Sequence, residues 1–71
     1  MTVRTEHVGG PGSRDWEVLQ DGAVIGEVRS YGGGWGASSH LFPTPEPRPL
    51  YRTKADAVEA VRRNVEAVLA S

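Results

Sequence analysis

A chain of 71 residues with no cysteine and a formal net charge of −1 admits one domain, which removes only about 60% of its unfolded surface from water. Its core must be small and its stability marginal. A deep preorganised catalytic cavity is therefore not expected in a monomer, and disulfide staples and thiolate-bound zinc are excluded. Eight basic against nine acidic side chains give no overall field for capturing a polyanion.

No apolar run approaches the ~20 residues of a membrane span, and Met1 to Arg14 lacks the apolar middle of a signal peptide, so a cytoplasmic location is the expectation. Arginine outnumbers lysine seven to one, with Ala, Val and Gly abundant, which points to a GC-rich genome such as that of an actinobacterium or its phage.

In chain order, Thr2 to Val8 alternates loosely, as an edge strand would, and Gly9 to Ser13 is turn chemistry. Residues 1–14 are thus an N-terminal segment, either an edge strand or disordered, preceding a single domain over 15–71. "DWEVLQDGAVIGEVRS" carries the clearest signal: two runs rich in Val, Ile and Trp flank Asp21-Gly22, which predicts a β-hairpin. A two-residue turn on Asp21-Gly22 and a three-residue loop Gln20-Asp21-Gly22 are both available. The three-residue choice gathers Trp16, Val18, Val24, Gly26 and Val28 on one face, with Gly26 opposite Trp16. It leaves Glu17, Leu19, Ala23, Ile25, Glu27 and Arg29 on the other, wet face.

"YGGGWGASSH" follows. A P-loop would need a lysine and a helix after the glycines, whereas here Trp35 and an alternating stretch to Phe42 predict a further strand. Tyr31 to Gly34 then reads as a hairpin connection, with recognition of a small molecule or anion by the Tyr31 to Trp35 loop as the lesser alternative. Trp35 is expected in the core, partnered with Trp16. Prolines 43, 45, 47 and 49 exclude both helix and strand and predict a stiff crossing loop. Thr53 is an N-cap with Asp56 three residues on, and a helix to about Ala70 places Val58, Val61, Val65, Val68 and Leu69 on the stripe that covers the sheet. Glu59 with Arg63, and Arg62 with Glu66, pair along its solvated flank. Ala57, Ala60, Asn64, Ala67 and Ser71 form a strip of small side chains that would let another helix approach closely.

Catalytic and metal chemistry find little support. His7 and His40 lack cysteine partners and HxxxH spacing. Ser39 and His40 would face opposite ways on a strand, and Asp15, Glu17 and Glu27 lie on or beside the wet face. Arg48, Arg52 and Lys54 bracket the helix start, where free N–H groups favour an anion.

The pattern W-x-V…DG…iGeV…W-x-A…yrTkadAveAv, from Trp16 to about Val65, resembles a class of small βββα domains that includes the DNA-reading AP2 domains, the arm-binding N-terminal domains of phage integrases and short uncharacterised proteins. In the DNA-binding members the exposed sheet face carries arginines and aromatics into the major groove. The matching face here carries Glu17 and Glu27, with Arg29 as its one strand-borne cation, and those carboxylates would repel phosphates.

The expectation is therefore an α+β fold, a three-stranded antiparallel sheet with an optional fourth N-terminal edge strand, packed on one C-terminal helix. Its function is expected to be that of a non-enzymatic interaction module, without cofactor or metal and away from membranes. The module would bind a protein partner, or itself as a homodimer, through Leu19, Ile25, Arg29 and Tyr31 or through the alanine strip. The alternative is sequence-specific DNA binding through the exposed sheet face, with Arg48, Arg52 and Lys54 as anion- or nucleic-acid-binding residues.

Overall fold

A computed structural model of the chain describes residues 2–39 and 50–70. Strands β1 (Val3–Val8), β2 (Asp15–Gln20), β3 (Ala23–Tyr31) and β4 (Gly34–Ser39) form one antiparallel meander in the order β1-β2-β3-β4. Helix α1 (Lys54–Ala70) packs against this sheet, over β3 and β4. Within the N-terminal segment, Val3–Val8 is thus the edge strand of the same sheet. The proline loop, Arg48, and the part of the expected strand running from His40 to Phe42 lie outside the described residues.

The hairpin turn between β2 and β3 corrects the expected register. Gln20 pairs with Ala23, so the turn holds two residues, and both take positive φ, Asp21 at 51° and Gly22 at 87°. This is the type I′ geometry that an Asp-Gly pair favours because its twist matches that of the flanking strands. Carried on unbroken, the register would set Trp16 opposite Glu27 and mix the faces. A bulge prevents it: Leu19 pairs with Val24 but Val18 pairs with Gly26, leaving Ile25 as the additional residue. Trp16 then faces Val28 rather than Gly26. The bulge also exchanges two neighbours, so that Ile25 enters the core at 9% exposure while Val24 is 38% exposed.

Val18, Ile25, Val28, Ala57, Val61 and Val65 form the buried cluster, with Val3, Trp16, Trp35, Ala37, Tyr51 and Val58 packed around it. Val61 sits so low on the sheet that a Cβ on Gly26 would lie 2.6 Å from its Cγ1. The expected valine stripe therefore holds at Val58, Val61 and Val65, whereas Leu69 is 72% exposed at the helix end. Ala57 belongs to the core and not to a docking strip, because it lies one turn before Val61 and two before Val65 on the buried stripe. Ala60 and Asn64 are half-buried and Ala67 is exposed.

Both indoles pack against the core, but they do not pair with each other, since β3 runs between the strands that carry them. Trp35 exchanges two backbone hydrogen bonds of 2.8 Å with Tyr51, a single bridge on the outer edge of β4 that brings the returning chain to the start of α1. There the Thr53 hydroxyl accepts the Asp56 N–H at 3.1 Å and caps the helix. On the solvated flank Arg62 bridges Glu59 and Glu66 at 2.6 Å each, and Arg63 reaches Glu59 at 3.1 Å.

Candidate functional site

The sheet face turned away from α1 follows from the register as three rows of side chains. Glu6, Glu17, Glu27 and Ser38 stand directly opposite one another across all four strands. One row to one side lie Arg4, Leu19 and Val24, and on the other lie Asp15, Arg29 and Gly36. Three glutamates in line are unfavourable neighbours, and they are flanked by cations. Arg4 reaches Glu6 at 2.8 Å, and Arg29 reaches Asp15 at 3.2 Å.

At the β3–β4 end this face gains shape. The Tyr31 ring folds diagonally across the bare backbone of Gly36, close enough that a Cβ there would lie 2.6 Å from its Cε2. The Arg29 guanidinium stands 5.9 Å from the ring centroid while holding Asp15. Tyr31 remains 47% exposed, and the exposed Leu50 lies alongside at Gly33 and Gly34. Together with Glu27 and Ser38 these residues line an open groove of about 560 Å³. Gly36 carries the pose, since any larger residue would push the ring off the strand.

Of the expected partner-binding residues, the structure leaves Arg29 and Tyr31 on this face and exposed. Ile25 is removed to the core by the bulge. Leu19 keeps its place on the outer face between Arg4 and Val24 but is only 6% exposed. The apolar patch read around Leu19 and Ile25 is thus not formed. The residues missed were Gly36 and Leu50, and Glu6 as the third member of the carboxylate row. The alternation of β1 hinted at Glu6, but its alignment with Glu17 is a long-range fact.

Of the expected anion corner, Arg48 lies outside the described residues, Arg52 is exposed, and Lys54 sets its Nζ 3.3 Å above the Trp16 ring. Burial there pushes the lysine pKa down. His7 also packs against Trp16, its ring centroid 4.8 Å away and tilted by 60°, and its Nε2 donates to the Ser13 carbonyl at 2.7 Å. Among the described residues no group of three His, Asp or Glu side chains converges to hold a metal ion, and no helix is long and apolar enough to cross a membrane. Asn64 Oδ1 is buried with no hydrogen-bond partner among them. Comparison with protein-family models, with curated proteins and with solved structures finds no match.

Proposed function

We propose that the chain is a non-enzymatic interaction module that binds a protein partner through the outer sheet face, anchored at its β3–β4 end. The observation that carries this reading is the posed, half-exposed Tyr31, laid on Gly36 and stacked by Arg29 beside an exposed leucine. Tyrosine and arginine are enriched at the energetic centres of protein interfaces, because a large, stiff contact area costs little side-chain entropy to immobilise. The row of Glu6, Glu17 and Glu27 favours a partner segment with basic side chains next to the apolar one that meets Tyr31 and Leu50. The same row weighs against the alternative of DNA reading by this face, since three carboxylates would face the phosphates.

A photo-crosslinking side chain at position 31 tests the reading against one at Arg63 on the opposite surface. Capture of a discrete partner from position 31 alone, weakened by salt and by Arg29→Ala, is the expected result. Equal capture from both positions overturns it, and so do amide shifts along β2 to β4 on titration with duplex DNA.

A further inference from the structure

The two edges of the sheet are not equivalent. β4 is engaged at Trp35 by Tyr51, whereas β1 has β2 as its one strand neighbour among the described residues. The Thr2 carbonyl accepts the Asp21 N–H, and the Thr2 N–H donates to the Asp21 side chain. Even-numbered residues of β1 thus face β2, and antiparallel alternation turns the N–H and C=O groups of Val3, Thr5 and His7 outward. The helix leaves this edge accessible, since it lies over β3 and β4. Between β1 and α1 runs a groove of about 530 Å³, lined by Val3, Thr5, Ala55 and Val58 together with charged side chains of both signs, among them Arg62 and Glu59.

We infer that β1 is a self-association edge on which the β1 strand of a second copy pairs antiparallel, joining two sheets into one. The charges of the strand select this occupant. An antiparallel pair that keeps both outer faces on one side must set even residues against even ones. Three such registers are centred within the run from Arg4 to Glu6. Centring on Arg4 opposes two arginines, and centring on Glu6 opposes two glutamates. Centring on Thr5 places Arg4 of each copy opposite Glu6 of the other, twice, on the outer face where both side chains are already exposed. In that register Thr5 hydrogen-bonds Thr5 of the second copy and Val3 hydrogen-bonds its His7, which uses the outward backbone groups. The second strand then closes the open side of the groove beside Val3. An edge strand with one sign of charge would repel its own copy, whereas Arg-Thr-Glu is self-complementary.

One strand per subunit is a small interface, so the dimer is weak and exchanges quickly. Sedimentation of the full chain over a concentration series to ~1 mM measures it. Arg4→Glu and Glu6→Arg, each of which opposes like charges in the Thr5-centred register, are expected to weaken the dimer about tenfold or more. The double exchange of the two residues is expected to restore it, which neither of the other registers allows. Thr5→Pro, which removes an outward donor and leaves the ladder to β2 intact, abolishes it. A chain that stays monomeric throughout the series overturns the inference, as does a dimer indifferent to all of these changes. Tyr31→Ala leaves the dimer unchanged, so the outcome is read separately from partner binding at the β3–β4 end.

Discussion

Gly26→Ala probes how closely α1 is pressed onto the sheet. The new Cβ would lie 2.6 Å from Val61 Cγ1, about 0.8 Å inside the 3.4 Å at which ordinary contact begins, and nearer still to the Ser38 carbonyl oxygen. Neither neighbour can yield alone. Val61 is buried against the cluster, and Ser38 is held in β4 by its pairing with β3. Relief must therefore come from lifting the helix or shifting a strand, an overpacking cost of about 1–3 kcal/mol. Replacing a strand glycine returns about 0.5–1 kcal/mol by restricting the unfolded chain. A net loss of about 1–2 kcal/mol remains, a fall in Tm on the order of 5–15 °C for a domain of this size.

Thermal and urea unfolding followed by far-UV circular dichroism measure it. Gly36→Ala is the control, because the atoms nearest its Cβ belong to the exposed Tyr31 ring, which can swing aside, and stability should change by less than about 0.5 kcal/mol. A Gly26→Ala protein as stable as the parent would refute the close helix–sheet approach from which the core is argued.

The bulge predicts that Ile25→Ala costs about 2–4 kcal/mol in urea unfolding while Val24→Ala, its exposed neighbour, costs less than about 1; equal losses would mean that the strand is not bulged. Thr53→Ala removes the hydroxyl that accepts the Asp56 N–H and should lower stability by about 0.5–2 kcal/mol, with Thr53→Ser restoring most of it. Hydrogen bonds and charge from Arg62 and then Arg63 hold the Glu59 carboxyl down at about 2, against an ordinary 4.5. Since the folded value is the lower one, its stabilisation is complete above about pH 5 and fades as pH falls toward 2. Helix ellipticity should decline across that window, less steeply in Glu59→Gln, and a variant that titrates like the parent would assign the effect elsewhere.

What could be read without coordinates was whatever depends on neighbours a few residues apart. The α1 boundaries rest on Thr53 and on a valine period completed within three turns. The first hairpin rests on Asp21-Gly22, and the glycine joint between Tyr31 and Trp35 on the strands either side of it. The absence of cysteine determined that packing alone holds the fold together. Side-chain parity defeated the sequence reading at Ala23, Val24 and Ile25, because a two-residue turn and a bulge together restore the faces that a three-residue loop would give, except at those three positions. Only tertiary structure chose between them, by offering Ile25 a place in the buried cluster that the helix completes. Lys54 was equally illegible as a Trp16 partner, and Glu6 as the neighbour of Glu17, for each of these contacts joins elements far apart in sequence. The physical reason is that period and capping energies are local, whereas register is decided by what the whole sheet and its helix can bury at once.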